Sequence, residues 1–356
     1  MLTVSRASKP ANSHLLFAIG FAAISSIVCA TTATAIPQKS NKSAQNQSVI
    51  TKQSTKNVNR TLVFPRDSIG GLYLIGIGPD RLWHEGSEDE AAVAKGTVKL
   101  SVPSDRLVVL KANANLVAKP EQLDKLSPDI VDSISIAATP IDETEDDRAD
   151  EVLSHVARLT GLKEVKLNQV VASDNGLAKL KVLKNLVTLK ADIGNAHGSC
   201  LKELSSLPKL TTLDLSANPL ESKNLKPLAD FPSLKRLIVR HASLDEEAAK
   251  YIGQCKQLDD VSLAGNHKIN DKAMPYLAKI STLTKLDLSD TSVTAKGLAE
   301  LHGLNKLERL SVSERYVFKR QLPELAKILP HTIISIEPIA GVLKPDMNRL
   351  FAPLPK

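Results

Sequence analysis

A six-residue pattern, L-x-x-L-x-L, recurs from residue 162 onward: LKEVKL from Leu162, LVTLKA from Leu186, LTTLDL from Leu210, LKRLIV from Leu234, LDDVSL from Leu258, LTKLDL from Leu283 and LERLSV from Leu307. Successive starts lie 24, 24, 24, 24, 25 and 24 residues apart, and the one extra residue falls in GNHKIN, where a loop absorbs it. A period this regular marks one small unit used repeatedly, each copy too small to bury its own apolar face. HTIISI keeps the step, with Ile334 and Ile336 in the second and third apolar places. VDSISI (Val131 to Ile136) lies upstream at a longer step of 31, so nine strands are expected.

Within each pattern the alternation around the last two apolar places is that of a strand with one buried side. Leu213 and Leu215 point into a core, and their neighbours point to solvent. The chain then turns and returns as a helix, with apolar residues three apart: Leu177, Leu180 and Leu183, then Leu201, Leu204 and Leu207, then Leu225, Leu228 and Phe231, and later Leu298, Leu301 and Leu304. Turn and cap residues precede several of these returns, in SDNG (Ser173 to Gly176), SLDEE (Ser243 to Glu247) and TSVTAKG (Thr291 to Gly297). Stacking such units buries every apolar stripe and predicts a parallel sheet on a concave side with helices on the convex side.

The spacing and the strand pattern resemble the leucine-rich-repeat superfamily, in its exported bacterial form with 24-residue repeats. The resemblance implies an α/β solenoid that binds proteins through its concave sheet. It also implies an asparagine two residues beyond the strand, whose amide ties successive turns together. Asn218 and Asn266 match that place, whereas Val170, Gly194, Ala242, Thr291 and Arg315 do not, so the ladder is incomplete. Cys255 holds the apolar helix place occupied elsewhere by Leu207 and Phe231, and Cys200 lies about two repeats away. With strands ~4.8 Å apart, the two are too distant for a disulfide, which needs Cα atoms within ~7 Å. Two free thiols are expected.

Upstream of the repeats the texture changes. Arg6 and Lys9, the apolar run Leu15 to Ala30 and the ATA stretch before Ile36 read as a signal peptide over residues 1–35. The apolar run is short for a membrane span, and an uncleaved anchor is the alternative. Residues 36–60 are rich in Ser, Asn, Gln and Lys and read as a flexible polar linker. The net charge of +7 sits here: Arg6, Lys9, Lys39, Lys42, Lys52, Lys56 and Arg60 precede the first acid, Asp67. Removing those seven from 46 basic residues leaves 39, equal to the 39 acidic ones, so the body is neutral and a nucleic-acid partner is not expected. Residues 61–119, with RTLVF, GGLYLIGI, GTVKLSV and DRLVVLKAN, read as short antiparallel strands that cap a solenoid spanning 120–338. Residues 339–356 read as a tail. Trp83 is assigned to the core of the β module.

No chemistry-bearing motif emerges. The histidines form no H-E-x-x-H or H-x-H pair, and neither G-x-S-x-G nor G-x-x-x-x-G-K-[ST] occurs. The acidic runs Glu85 to Glu90 and Asp142 to Glu151 lack calcium-loop spacing and read as a solvated loop and a helix start. No cofactor, no metal and no catalytic residue are expected, and the chain is expected to be monomeric. What remains is the concave face, where strand residues between the apolar places point outward, Glu164 among them. The candidate partner-binding residues there are Lys166, Lys190 and Asp214, then Arg236, Ile238, Arg240 and His241, then Asp260 and Asp287. The middle of the array, with Lys235, Arg236, Arg240 and His241, reads as basic beside an acidic strand. A self-neutralising, merely solvated face is the competing interpretation. The functional expectation is an exported, non-catalytic protein-interaction module. The alternatives are a structural or adhesive envelope component and an intracellular adaptor of the ubiquitin-ligase-receptor type.

Overall fold

The computed structural model describes residues 57–76, 89–137 and 146–338. The expected signal segment, most of the linker, Trp83 and the tail 339–356 lie outside the described residues.

Fourteen strands are described: β1 (Asn57–Val63), β2 (Gly70–Gly76), β3 (Asp89–Val93), β4 (Thr97–Pro103), β5 (Arg106–Ala112), β6 (Ser133–Ala137), β7 (Glu164–Asn168), β8 (Thr188–Asp192), β9 (Thr212–Asp214), β10 (Arg236–Ile238), β11 (Asp260–Ser262), β12 (Lys285–Leu288), β13 (Arg309–Ser313) and β14 (Ile333–Glu337). From β6 to β14 they form nine consecutive parallel strands, the number the spacing predicts. The upstream segment forms antiparallel strands, β2 between β3 and β5, with β1 and β4 paired separately. The two regions share one sheet, because β5 pairs in parallel with β6. Strand β1 begins at Asn57, upstream of the Thr61 boundary read from the sequence.

Each apolar place of the repeat is a core position. Leu210, Leu213 and Leu215 are fully buried, as are Leu180, Leu183, Leu201, Leu204 and Leu207 on the returning segments. Burying one such side chain stabilises the fold by roughly 1.5–3 kcal/mol, so the repeats stand by summation over many equivalent leucines. The returning segments are short. Several are 3₁₀ helices, at Lys179–Val182, Ser222–Asp230 and Ala299–Gly303. At three residues per turn Leu225 and Leu228 fall in one line; an α-helix also keeps residues three apart on one face, offset by about 60°, as the buried Leu201 and Leu204 show. The cap signals act as read. Ser173 accepts from Asn175 and Gly176, Asp245 from Glu247 and Ala248, and Thr294 from Lys296. Cys200 and Cys255 are both free and buried.

One regularity of the turns was not apparent in the sequence. Gln169, Ile193, Ala217, His241, Gly265 and Asp290 occupy the same place after their strands, and all have left-handed backbone, with φ between 49° and 74°. Only one is glycine. The conformation is held from repeat to repeat: the amides of Ile193, Ala217, His241 and Gly265 donate to the carbonyls of Ser216, Arg240, Ala264 and Ser289 at 2.7–2.9 Å. Beside this row sit the two ladder asparagines. Asn218 Nδ2 donates to Ala191 O at 2.7 Å and Leu215 O at 3.1 Å, and its Oδ1 accepts from Ala196 N at 3.0 Å. Asn266 does the same for Val239 and Leu263, and accepts from Ala242 and Leu244.

Candidate functional site on the concave sheet

Because the strands are parallel and in register, equivalent outward residues line up as rows across the sheet. One row runs Lys166, Lys190, Asp214, Ile238, Ser262, Asp287, each opposite the next. A second runs Ser133, Glu164, Thr188, Thr212, Arg236, Asp260, Lys285. All nine candidate residues lie on these rows or at the strand ends beside them.

The two arginines of the expected basic middle are matched within the face. Arg236 Nε donates to Asp260 Oδ2 at 2.8 Å, with both side chains only 19% exposed. Arg240 donates through Nε to Ser262 Oγ at 2.7 Å, and its guanidinium lies 3.4 Å from Asp287 Oδ2. Ser262 Oγ in turn donates to Asp287 Oδ2 at 2.8 Å, which joins three strands in one polar chain. His241 is exposed and crosses the flat surface of Gly265, where a Cβ would meet its ring at 2.1 Å.

Upstream the pattern differs, and the outward reading of Glu164 is corrected there. Its side chain is fully buried, with Oε2 accepting from Ser133 Oγ at 2.9 Å and Oε1 3.5 Å from Lys166 Nζ. Burial pushes its carboxyl above the usual range, against the pull of Lys166. Thr188 and Thr212 beside it in the row are buried as well. One place in a repeat pattern is therefore solvated or covered according to its neighbours, which a single repeat does not reveal. Two further residues had no distinguishing mark in the sequence. Asp132 binds Arg60 at 2.9 Å through Oδ2 and Lys163 at 2.9 Å through Oδ1, and accepts Val108 N at 3.1 Å. Burial would raise its carboxyl, but the Lys163 and Val108 hydrogen bonds and the nearby Arg60 hold it below the usual range. Asp192, at the end of β8, has Oδ1 shut away from solvent without a hydrogen-bond donor. Burial first, and then the charge of Asp214, push its carboxyl up.

Among the described residues no group of three or more His, Cys, Asp or Glu is placed to hold a metal ion. No described helix is long and apolar enough to cross a membrane. The thiols are poor nucleophiles, since burial pushes Cys255 up to about 12 and Cys200 higher still.

The Leucine Rich repeat family model matches residues 279–301. A Trypanosoma equiperdum protein described as an adenylate cyclase regulator is 31% identical over 157 residues, which is 44% of this chain. The chain spans about a quarter of that relative's length (24%). Among solved structures, an internalin from Listeria monocytogenes aligns at 15% identity and TM-score 0.39, covering 66% of this chain and 67% of its own. A Leptospira interrogans LRR protein aligns at 16% identity and TM-score 0.33, covering 57% of this chain and 64% of its own.

Proposed function

Starting from a leucine-rich-repeat solenoid whose parallel sheet faces solvent, we propose that this protein is a non-catalytic interaction module that binds a protein partner on the concave face. One observation carries the proposal: outward side chains from successive strands stand in register as rows of mixed charge and hydroxyl groups, the arrangement that reads an extended surface. The described relative is a regulator by its description, which accords with a binding role. Export is part of the proposal, supported by the basic, apolar and small-residue succession of residues 1–35.

Photocrosslinking tests the proposal. A photoreactive residue replacing Ile238 or Ser311 should crosslink the partner in the native source, and one replacing exposed Lys202 or Lys250 on the helical side should not. Crosslinking from the helical side alone would overturn the concave-face reading. N-terminal sequencing of the mature protein decides export: a start near Ile36 supports it, and an intact Met1 in the cytosol refutes it.

A further inference from the structure

The parallel array ends differently at its two edges. Upstream, β6 is flanked by β5, and its core residues Ile134 and Ile136 are buried. Downstream, β14 is the last strand of the sheet among the described residues. Ile334 and Ile336 stand in register with Leu310 and Val312, which are 1% exposed, yet both remain partly open to solvent. Ile328, in the helix Leu322–Ile328 of the same repeat, is likewise only partly buried, and Ile333 at the start of β14 is 69% exposed. A core layer of a solenoid is covered by the layers on both sides of it, and this one has a described layer on one side only.

The backbone of β14 is open on the same side. Ile333 N donates to Glu308 O at 2.7 Å, and Glu337 O accepts from Glu314 N at 2.9 Å. Residues of a parallel ladder alternate in the neighbour they bond, so Ile333, Ser335 and Glu337 bond toward β13. The N–H and C=O groups of Ile334 and Ile336 therefore point to the free edge. The strand carries one charge, at its last residue, and no proline, so nothing within it blunts that edge. A cover for this end has to bring both apolar side chains and backbone donors and acceptors.

The chain itself supplies one. It leaves β14 through Pro338 into residues 339–356, where Ile339, Val342, Leu343, Leu350, Phe351 and Leu354 are large and apolar. That composition is unlike the polar stretch 36–56, whose large apolar residues are Ile36, Val49 and Ile50, and it disfavours a wholly solvated tail. Residues 339–343 contain no proline, so each of them can donate to an edge. The next strand position lies ~4.8 Å from β14, and a segment tethered at Glu337 meets it at an effective concentration in the millimolar range. A second copy of the chain has to compete with that. We propose that residues 339–356 dock on the downstream end of the solenoid, with the backbone of 339–343 on the open edge of β14 and apolar side chains on Ile328, Ile334 and Ile336. The docked segment completes at this end what β5 completes at the other.

Hydrogen exchange and methyl NMR on the full chain test the proposal. The amides of Ile334 and Ile336 should exchange at least about tenfold more slowly in the full chain than in the variant carrying Leu343→Asp and Phe351→Asp. That protection should be unchanged when the protein is diluted, and the Ile334 and Ile336 methyl groups should show nuclear Overhauser contacts with Leu343 or Phe351. The variant leaves every repeat leucine in place, so the amides of β9 to β11 should exchange in it as in the parent. Free exchange of both isoleucine amides in the unaltered chain, or equal rates in chain and variant, overturns the proposal. Protection that is lost on dilution assigns the end to a second copy and overturns it as well. Should the variant fail to fold, the methyl contacts in the unaltered chain decide: their presence supports the docked segment, and their absence refutes it.

Discussion

Strands β6 to β9 and strands β10 to β13 carry the same strand pattern on the same backbone, yet they treat charge in opposite ways. Upstream, the row through Ser133, Glu164, Thr188 and Thr212 is buried, and a carboxylate is held there by a serine and a half-buried lysine. Downstream, the same row passes through Arg236, Asp260 and Lys285, which reach solvent, and Arg236 pairs with Asp260 on the next strand. The leucine positions are indifferent to this contrast: Leu213 upstream and Leu286 downstream are both buried. A repeat therefore specifies the scaffold uniformly and leaves electrostatics to each strand's neighbours.

The largest expected effect tests that uniformity. Leu213→Ala and Leu286→Ala should each cost roughly 2–5 kcal/mol, as truncations in a packed core. Urea midpoints that fall by similar amounts support one continuous core. A loss in one half but not the other would show that the halves differ in packing as well as in charge.

Next in size is a contrast within the upstream half, between two carboxylates with opposite pH behaviour. The carboxyl of Asp132 is held below its ordinary value, so its contribution is present above about pH 4 and lost as pH falls through the folded value. Asp132→Asn should therefore destabilise at pH 7 by about 3 kcal/mol, since it deprives Arg60, Lys163 and Val108 N of a common acceptor. The penalty should shrink in acid. Glu164 has the reverse sign. Its carboxyl is raised by burial, so its contribution is present below the ordinary value of 4.5 and lost as pH rises through the folded value. Glu164→Gln, which can still accept from Ser133, should raise the melting temperature at pH 7 and leave it unchanged near pH 4. Melting curves at both pH values check the pair. If both variants respond to pH with the same sign, the assignment of buried against matched carboxylates is wrong.

How much of this was legible follows from what periodicity encodes. Spacing is a one-dimensional signal, and it located the nine strands, the leucine core and the burial of Cys255 because those depend only on position within the unit. The asparagine ladder was legible at Asn218 and Asn266, where the residue type itself makes the bonds. The left-handed row was hidden, because Gln169, Ile193, Ala217, His241 and Asp290 carry no glycine mark. At Ile193, Ala217 and His241 an amide reaching the next repeat holds the conformation. Helix type was not legible: the same step of three falls in the 3₁₀ segment at Leu225 and Leu228 and in the α-helix at Leu201 and Leu204. At the candidate site, Arg236 and Asp260 are 24 residues apart and their pairing follows from the register. The coupling of Arg240 to Asp287 skips a strand and runs through Ser262, which no single period reports.

That skipped-strand coupling gives the smallest expected effect. The Arg240 side chain is 51% exposed, and its guanidinium stands 3.4 Å from Asp287, so solvent screens most of the attraction. Exposed pairs of this kind contribute about 0.2–1 kcal/mol. Single substitutions mislead, because Asp287 also accepts from Ser262 Oγ at 2.8 Å and Ser289 N at 3.1 Å, and Asp287→Ala would remove all of these together. A double-mutant cycle with Arg240→Ala and Asp287→Ala cancels the common losses and leaves the pair term. That term should be below about 1 kcal/mol and should fall further when the salt concentration is raised to about 1 M, where the screening length is ~3 Å. The corresponding cycle for Arg236 and Asp260, both mostly buried, should give a larger coupling that salt reduces less. If the exposed pair proved the stronger, charge matching in the downstream half would not be governed by burial, and the contrast with Glu164 would need another cause.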